Sequence, residues 1–376
     1  MPHAPMPASD PYLEAFLRIL GGDEGTLNSN LGYTVITGNS GPRWILPNNP
    51  RMNRSVLREW SPYDLASRLR WTAIRTVADC NILRFLPGTK QIVLAADCGL
   101  RLLKHLGWDA EVLPPVILVG TPTITRKLII FLLDHEYRLT AVVKYPLTFA
   151  ARASIKQEAQ ILSRLDGGFG APNLLHYSEG QHAAAQEYLR GRMGSRQLRP
   201  HYLNLLFEFA RTGETFLLED SRRDLSKRLH KQDLYSRHEG TIQQLMKLLE
   251  KSTLLPAVLV HGDFAPWNLR EISGGRCTVV DWESAKWRGM PMHDLCHFFY
   301  MQSRLFAINK PFFEYFLGVA PWRHYCDVLG LSSDCLRQLV GAYLLDRLAT
   351  HWESSETEWA EFCLRQIREF LAHAGN

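Results

Sequence analysis

The chain lacks the sequence features of secreted, disulfide-rich and membrane-spanning proteins. Its seven cysteines are scattered, odd in number and without a Cys-x-x-Cys pair, which argues against a disulfide framework or a zinc site. No window reaches roughly 18 uninterrupted apolar residues, which excludes a spanning helix. The first residues are rich in proline and lack a basic stretch followed by an apolar core, so we do not expect a signal peptide. We therefore predict a cytoplasmic protein with free thiols and no membrane contact.

The chain also lacks runs of lysine or arginine, internal repeats and low-complexity tracts. Its formal net charge of +5 is mild, which suits a nucleotide-phosphate site and argues against nucleic acid as a partner. A length of 376 residues with 46% hydrophobic content is that of an ordinary soluble globular protein. This length allows two lobes plus an extension.

What the chain does contain is a group of polar residues beside two short apolar runs. His261 and Asp263 directly follow the run Val258–Val260, Asn268 lies five residues beyond Asp263, and Asp281 ends a second apolar run. Metal-assisted phosphoryl transfer to a hydroxyl requires one carboxylate that orients the attacking hydroxyl. It also requires an amide and a second carboxylate that hold the metal bridging the nucleotide phosphates. The pattern therefore indicates a phosphotransferase site.

The glycines of one turn predict how these residues meet. Between Asn268 and Asp281 the only strong turn signal contains Gly274 and Gly275, which are typical of a two-residue β-hairpin turn. A turn centred on these glycines pairs Asn268 with Asp281 across the two strands. We therefore expect both metal ligands to arrive at one point from opposite strands. The alternative is an ordinary strand–turn–strand with a surface aspartate and a capping asparagine.

Three stretches around these residues resemble one family. They are residues 261–268 (His-Gly-Asp-Phe-Ala-Pro-Trp-Asn), 280–283 (Val-Asp-Trp-Glu) and 289–295 (Gly-Met-Pro-Met-His-Asp-Leu). They resemble the aminoglycoside phosphotransferase and choline kinase family of kinase-like enzymes, over roughly residues 115–350. One departure is visible, because many members carry a second histidine where this chain has Ala-Pro-Trp at 265–267. The acceptor side of the loop is therefore expected to have a different shape.

The resemblance implies a role for each residue of the motif. Asp263 and His261 are then catalytic, with Asp263 as the base, and Asp294 supports the catalytic loop. Asn268 and Asp281 are the magnesium ligands, and the phosphate donor is ATP or alternatively GTP. The resemblance also implies an α+β, two-lobed protein-kinase-like fold with a small β-rich lobe and a larger helical lobe.

A kinase-like site also needs a lysine that places the phosphates, paired with a glutamate on the next helix. Lys144 stands at the end of the predicted strand 139–145. Downstream, Glu158 falls on the apolar stripe of a predicted helix, together with Ile155 and Leu162,. A carboxylate that points into a core needs a partner, so we predict that Glu158 pairs with Lys144. The alternative is that Glu158 sits at the margin of the stripe and reaches solvent.

The remaining nucleotide contacts are expected before and after this pair. A hairpin over residues 116–133 should cover the phosphates, but it contains a single glycine. Phosphate contacts are then expected from backbone donors near Gly120 and from hydroxyls such as that of Thr121; the alternative is a plain hairpin with a proline-containing turn. Glu187 and Leu189 occupy the place where the family binds the adenine base. Backbone groups make that contact, so the side chains there do not choose between ATP and GTP.

The predicted domain organisation has three parts. Residues 1–110 form an N-terminal α/β extension of unknown role, 111–187 the small nucleotide-binding lobe, and 188–376 the large helical catalytic and acceptor-binding lobe. The extension is predicted to be folded, with strands such as 33–36 and a helix that begins at Ser61,. Its arginine-rich helix face is either a solvated surface or a site for an acidic partner.

The predicted function is that of a small-molecule kinase, which moves the terminal phosphate of ATP or GTP to a hydroxyl of a sugar, amino alcohol or related metabolite. The short path from Asp281 to Pro291 leaves no room for an activation segment, which argues against a protein kinase. Two alternatives are an aminoglycoside-modifying enzyme and a non-catalytic nucleotide-binding protein on the same fold. The last predicted helix, from Trp352 to Leu371, carries acids that could bind an amino sugar, although such a strip is typical of a solvated helix face.

Overall fold

The chain divides into two compact units, with limits Met1–Arg192 and Met193–Asn376. The predicted boundary between the small and large lobes, at residues 187 and 188, lies close to this division. No helix among the described residues is long and apolar enough to cross a membrane. The predicted helix start at Ser61 falls outside the described residues. The computed structural model describes residues 11–21, 30–38, 41–60, 62–63, 65–86, 88–210, 213–250, 254–306, 308, 310–317 and 321–374.

The described part of the first unit is built around one antiparallel sheet. Its elements are α1 (Pro11–Gly21), β1 (Asn30–Gly38), β2 (Gly41–Pro47), α2 (Pro50–Leu57), α3 (Leu65–Asp79), β3 (Thr89–Ala95), α4 (Cys98–Leu106), β4 (Val116–Val119), β5 (Lys127–Leu133), β6 (Leu139–Pro146), α5 (Phe149–Leu165), β7 (Leu174–Ser178) and β8 (Ala183–Glu187). The described strands lie in the order β3-β1-β2-β4-β5-β6-β8-β7. Neighbouring strands are antiparallel throughout.

The N-terminal extension continues the sheet of the small lobe. Strand β2 pairs with β4, with Trp44 opposite Leu118 and Ile45 opposite Ile117. Strands β1 and β3 then follow on the outer side of β2. The extension is therefore folded α/β structure, as expected, but it shares one sheet and one compact unit with residues that follow position 110.

Helices of the extension cover both faces of this sheet. Side chains alternate between the two faces along each strand, so neighbouring residues of one strand pack against different helices. On one face Ile45 packs in a cluster with Phe16 of α1 and Leu102 of α4. On the other face Trp44 packs with residues of α2 and α3, and its ring centroid lies 5.7 Å from that of Trp71. Burial of each such large side chain contributes roughly 1.5–3 kcal/mol to stability. The extension thus supplies a large part of the core of the first unit.

Helix α5 carries Glu158 toward the sheet. The Thr148 hydroxyl caps the helix by accepting a hydrogen bond from the N–H of Ala151 at 3.2 Å,. Ile155, on the same stripe as Glu158, is buried in a cluster with Ala184 of β8. The predicted amphipathic helix is therefore confirmed, and its stripe faces the sheet.

The second unit is mostly helical, with short strands around residues 261–268, which form the predicted catalytic loop. Its elements are β9 (Arg192–Met193, which spans the division), α6 (Pro200–Phe209), β10 (Thr215–Leu217), α7 (Leu218–His230), α8 (Tyr235–Lys247), β11 (Leu254–Pro256), β12 (Val258–Val260), β13 (Leu269–Ile272), β14 (Arg276–Val279), β15 (Lys286–Gly289), α9 (His293–Leu305), α10 (Phe312–Leu317), α11 (Pro321–Val328), α12 (Ser333–Glu353) and α13 (Thr357–Ala374). The described strands form small sheets, β10-β11, β12-β15 and β14-β13-β9. These hold the segments that flank the catalytic loop.

The predicted last helix, Trp352–Leu371, is wrong at its start. Helix α12 continues through Trp352 to Glu353, and α13 begins only at Thr357. Between them Ser355 has a φ of 57°, which interrupts the regular helical hydrogen bonding. Apolar residues continue on both sides of this break, so their spacing did not reveal it.

Candidate active site

The catalytic loop, residues 261–268, begins where the buried strand β12 ends. Gly262 has a φ of 86°, and a Cβ atom at this position would lie 2.4 Å from the carbonyl oxygen of Ser284. Only glycine fits such a close backbone approach. The next residue, Asp263, has a side chain that is 32% exposed. The loop thus carries one carboxylate from a buried strand to the surface.

Asp294 holds the start of this loop. Its Oδ2 accepts a hydrogen bond from the N–H of His261 at 2.7 Å, and its Oδ1 accepts one from the N–H of Gly262 at 2.9 Å. Burial by itself would raise the pKa of Asp294, but the nearby His293 and the N–H of His261 lower it,. The loop support that the family resemblance implied for Asp294 is confirmed by these contacts.

The carboxylate of Asp263 is held at both oxygens. Asn268 donates from Nδ2 to Asp263 Oδ2 at 2.8 Å and to the Asp263 carbonyl at 2.9 Å. On the other side, Nε2 of His297 lies 2.9 Å from Asp263 Oδ1. The structure therefore brings Asp263 and Asn268 together, as the motif predicted, and adds a histidine from α9.

His261 is buried and both of its ring nitrogens are engaged by backbone groups. Its Nδ1 accepts a hydrogen bond from the N–H of Asp263 at 3.2 Å. Its Nε2 lies 3.1 Å from the carbonyl oxygen of Val280, so this nitrogen carries the proton,. The ring also packs edge-on against Trp282, with centroids 4.7 Å apart. This arrangement fixes the orientation of the ring and links the loop to the end of β14.

The predicted register of the hairpin after the loop is wrong by one residue. Strands β13 and β14 pair Ile272 with Arg276, so the turn has three residues instead of two. Val280, and not Asp281, then lies opposite Asn268, and its N–H donates to the Asn268 carbonyl at 2.9 Å. Both turn glycines adopt left-handed φ values, 80° and 68°, and the preceding serine joins the turn. A pair of glycines is compatible with turns of either length, which is why the sequence pattern misplaced the register.

Asp281 follows the residue that faces Asn268 and leaves the strand in an uncommon conformation. Its φ is 72°, in the left-handed region, and it begins a short 3-10 turn, Trp282–Ser284. Trp282 is fully buried and donates from Nε1 to the Val279 carbonyl at 2.9 Å. Non-glycine residues in this region carry strain that often accompanies functional sites. The buried tryptophan holds Asp281 in place at the end of the hairpin.

The donors at this end of the hairpin fit magnesium, which prefers oxygen ligands and uses one or two carboxylates together with phosphates and waters. Because Nδ2 of Asn268 is committed to Asp263, its Oδ1 is the group left for a cation. Within the described residues that oxygen has no protein hydrogen-bond partner. Asp281 supplies a carboxylate, and it lies one residue beyond Val280, the residue opposite Asn268.

In the first unit, the predicted pair of Lys144 and Glu158 is confirmed. Lys144 Nζ lies 2.7 Å from Glu158 Oε1, and the two side chains are 6% and 1% exposed. Lys144 is opposite Ile129 of β5 and Ala184 of β8, so it lies inside the sheet. The alternative, a solvent-exposed Glu158, is excluded by this burial.

The loop between β4 and β5 departs from the expected phosphate-binding geometry. The N–H of Gly120 donates to the Lys127 carbonyl at 2.9 Å, and a Cβ atom at Gly120 would lie 2.7 Å from that oxygen. The glycine is therefore required to close the hairpin, and its N–H is not available to a phosphate. This corrects the expectation for the Gly120 donor. Thr121 is exposed at the start of the loop.

The segment after β8 keeps one backbone donor for a ligand. The N–H groups of Glu187 and Tyr188 donate to the carbonyls of Asn173 and Thr140, at 2.9 and 3.0 Å. In the described part of the chain, the N–H of Leu189 has no protein acceptor. The Glu187 carboxylate accepts from Asn173 Nδ2 at 2.7 Å. The Glu187 side chain therefore shapes the segment, and the N–H of Leu189 is its open backbone donor.

Sequence reasoning missed two residues of the site, His297 and Tyr343. His297 lies three residues after Asp294, so both face the same side of α9,; this spacing is the signal that could have identified it. Tyr343 lies on α12, and its hydroxyl is 3.0 Å from His297 Nδ1. No local pattern connects Tyr343 to the loop, because the contact depends on the packing of α9 with α12.

Comparisons with known proteins support the family resemblance and the fold. Residues 130–309 match the model of the phosphotransferase enzyme family. This match, which includes the Lys144–Glu158 pair and the whole catalytic loop, confirms the resemblance seen in the motifs. A search of curated protein sequences gave no match.

Solved structures of phosphotransferases share the fold. Aminoglycoside phosphotransferase APH(4)-Ia gives a TM-score of 0.50 at 15% identity, covering 73% of this chain and 97% of that chain. A thermostable mutant of it, in a ternary complex with AMP-PNP and hygromycin B, gives 0.51 at 16% identity, covering 74% and 98%. Macrolide 2'-phosphotransferase type I gives 0.48 at 13% identity, covering 71% and 94%.

The fold is therefore the α+β, kinase-like fold of the aminoglycoside phosphotransferases, as predicted. At these identities the likeness shows the fold alone. Together with the family match, it supports a nucleotide-dependent phosphotransferase.

Proposed function

We propose that this protein transfers the terminal phosphate of ATP or GTP to a hydroxyl group of a small molecule. The observation that carries the proposal is the Asp263 carboxylate, which is partly exposed and held at both oxygens at the end of a buried strand. Beside it, the amide oxygen of Asn268 is left for a cation. The buried pair of Lys144 and Glu158 supports the same chemistry from the first unit.

In this proposal Asp263 is the catalytic base. It orients the attacking hydroxyl and accepts its proton as the new phosphorus–oxygen bond forms and the bond to the departing nucleoside diphosphate breaks. His261 is assigned to positioning the loop and not to proton transfer, because both of its nitrogens hold backbone groups. Asp294 has a similar task, since it fixes the two backbone N–H groups before Asp263.

Nucleotide contacts are assigned to the first unit. Lys144, held in place by Glu158, contacts the phosphates, and the N–H of Leu189 contacts the base. A backbone contact of this kind accepts ATP or GTP. The Thr121 hydroxyl is assigned to the phosphates in place of the Gly120 N–H, which closes its own hairpin.

Asn268 and Asp281 are assigned as the ligands of Mg²⁺. When bound, the cation neutralises charge on the nucleotide phosphates. The orientation of the Asn268 amide supports this assignment, because its nitrogen is bonded to Asp263 and its oxygen would be the atom that holds a cation.

The acceptor is proposed to be a sugar, an amino alcohol or a related metabolite. Between Asp281 and α9 the chain is occupied by a short turn and by β15, with no extended segment that could hold a peptide. Two acids that might have attracted an amino sugar are engaged within the protein. Glu353 lies 2.8 Å from Arg228, and Glu356 lies 2.8 Å from His351. These contacts favour a neutral or singly charged acceptor over an aminoglycoside.

The test begins with a thermal-shift screen of alcohols, sugars and aminoglycosides, with magnesium and a non-hydrolysable nucleotide present. Compounds that stabilise the protein are then incubated with labelled ATP or GTP, and transfer of the label is followed. We expect a small metabolite to be phosphorylated by the wild type and not by the Asp263→Asn variant. Nucleotide binding without transfer to any compound would favour a non-catalytic binding protein.

Two further assays test the choice of acceptor. The chain is expressed in a drug-sensitive bacterium, and it is separately incubated with generic protein substrates and labelled nucleotide. We expect neither drug resistance nor protein labelling. Strong resistance to an aminoglycoside, or efficient labelling of a protein, would overturn the proposed acceptor while leaving the phosphotransferase chemistry in place.

A further inference from the structure

Behind the catalytic loop, helices α9 and α12 form a buried polar contact that reaches Asp263. The side chain of His297 is only 3% exposed, and its two nitrogens point in different directions. Nε2 lies 2.9 Å from Asp263 Oδ1, and Nδ1 lies 3.0 Å from the hydroxyl of Tyr343. Tyr343 is itself fully buried. The three groups form one continuous hydrogen-bonded chain.

The chemistry of these groups sets the direction of each hydrogen bond. A carboxylate can only accept, so Nε2 of His297 donates its proton to Asp263. In a neutral imidazole the other nitrogen then accepts, and the Tyr343 hydroxyl is the donor that it needs. Burial lowers the pKa of His297 and raises that of Tyr343, so both groups are neutral near physiological pH.

We propose that His297 is a positioning residue for Asp263, and that Tyr343 holds the His297 ring in place by donating a hydrogen bond to its Nδ1. The proposal rests on the proposed function, in which Asp263 is the base. A carboxylate held at one oxygen can rotate about its side-chain bonds. With Asn268 on Oδ2 and His297 on Oδ1, its plane is fixed and its remaining lone pairs keep one direction.

The neighbouring histidine of α9, His293, does not make the contact with Asp263 that His297 makes. His293 lies one turn earlier on α9, with its ring 6.3 Å from that of His297 and nearly parallel to it. Its nitrogens, however, lie 3.5 Å from Asp294 and Asp346, and neither makes a hydrogen bond among the described residues. Only His297 of these two reaches the proposed base.

Three variants separate the roles. His297→Leu removes the donor and should lower kcat by roughly 10–100-fold with little change in the KM for nucleotide, because misplacing a reacting group by about 1 Å has such an effect. His297→Gln keeps an N–H donor near the same place and should recover most of that loss. Tyr343→Phe keeps the ring but not the hydroxyl, and it should lower kcat by roughly two- to five-fold, since the His297 ring then loses the donor at its Nδ1.

The double variant His297→Leu with Tyr343→Phe tests the coupling. Leucine cannot accept a hydrogen bond from the Tyr343 hydroxyl, so removal of the hydroxyl should have no further effect on kcat in that background. If Tyr343→Phe lowers kcat equally in the wild-type and His297→Leu backgrounds, Tyr343 does not act through His297.

The chain offers a matched control in His351 of α12. Its Nδ1 lies 2.8 Å from a carboxylate oxygen of Glu356, and its Nε2 lies 3.3 Å from the hydroxyl of Tyr300. The chemistry resembles that of His297, but the carboxylate is that of Glu356, directly before α13, and not that of Asp263. His351→Gln should leave kcat unchanged. If it lowers kcat as much as His297→Leu, the effect at His297 is only structural and the proposal fails.

A measurement without turnover keeps this inference separate from the proposed function. Nitrogen-15 spectra of histidine-labelled protein report which ring nitrogen carries the proton, and the His297 signals are assigned by their absence in His297→Gln. We expect the Nε2–H tautomer in the wild type and also in Tyr343→Phe, because the Asp263 carboxylate accepts from Nε2 in both. A wild-type Nδ1–H tautomer would overturn the inference even for an active enzyme. If the protein shows the expected tautomer but transfers no phosphate, the proposed function has failed while the contact between His297 and Asp263 stands.

Discussion

Asn268 Nδ2 and Asp263 Oδ2 lie 2.8 Å apart, so a single hydrogen bond joins the proposed base to a proposed metal ligand. The bond orients both groups. It fixes the Asp263 carboxylate, and it turns the amide oxygen of Asn268 away from Asp263. Substitutions at the two positions should therefore affect different steps of the reaction.

The first prediction concerns Asp263→Asn. An amide cannot accept the hydroxyl proton, so turnover should fall by about 10²-fold or more, in the range of general-base catalysis. Binding of magnesium-nucleotide, followed by calorimetry, should stay close to that of the wild type, because the base contacts the acceptor and not the phosphates. Near-normal turnover of this variant would mean that another group is the base. Its melting temperature serves as the control for folding.

The second prediction concerns the metal ligands. Asp281→Ala and Asn268→Ala should both weaken magnesium-dependent nucleotide binding, with the larger effect at Asp281 because a carboxylate carries the charge. Titrations of nucleotide with and without magnesium measure the difference. The matched control is Glu361→Gln, an exposed acid of α13, which should leave both titrations unchanged. Magnesium-dependent binding that is equal in Asp281→Ala and the wild type would remove Asp281 from the metal site.

The third prediction concerns the buried pair of Lys144 and Glu158. Lys144→Met leaves the Glu158 carboxylate buried without its ammonium partner, which should lower the free energy of unfolding by about 3–5 kcal/mol. It should also weaken nucleotide binding. Chemical denaturation and nucleotide titration measure the two effects.

The exposed pair of Arg138 and Asp134, 2.8 Å apart, provides the control for this prediction. Arg138→Ala should change stability far less, because exposed ion pairs contribute little. If Lys144→Met and Arg138→Ala were equally mild, the Lys144–Glu158 pair would not be the buried contact described here. A variant that is destabilised but binds nucleotide normally would contradict only the role of Lys144 at the phosphates.

The fourth prediction concerns the pH dependence of stability at Asp294. Its pKa is lowered in the folded protein, so its contribution is present above the ordinary aspartate pKa of about 4. That contribution is lost as the pH falls through the lowered folded-state value. Asp294→Asn should destabilise the protein near neutral pH by about 1–3 kcal/mol, because one backbone N–H of the catalytic loop loses its acceptor.

Denaturation curves between about pH 7 and pH 3 test this sign. The gap in stability between the wild type and Asp294→Asn should shrink as the pH falls below about 4. A gap that widens on acidification would mean that the folded-state pKa of Asp294 is raised and not lowered.

Several features were determined by the sequence alone, because they depend on residues close together in the chain. The catalytic loop is one, since His261, Asp263 and Asn268 lie within one short turn after a buried strand. The Lys144–Glu158 pair is another. There the helical spacing placed Glu158 on an apolar stripe, and the cost of burying a lone carboxylate required a partner.

Tertiary structure decided what depends on turn geometry and on the packing of distant elements. Two glycines allow turns of two or three residues, so the register that sets Val280 opposite Asn268 was not determined locally,. The single glycine of the β4–β5 loop suggested a phosphate donor, whereas its N–H closes the hairpin. The strands of the extension join the sheet through pairs far apart in sequence, such as Trp44 with Leu118.

The clearest contrast between what the sequence determined and what the tertiary structure decided is at Asp263, the proposed base. The sequence alone determined that Asp263 stands in the loop, because local chain geometry places it after a buried strand and a glycine turn. It did not determine that Asp263 is held at its second oxygen. His297 is separated from it by 34 residues, and Tyr343 lies 46 residues beyond His297. Hydrogen bonds across such separations exist only when α9 and α12 pack together, and packing is a property of the whole folded unit.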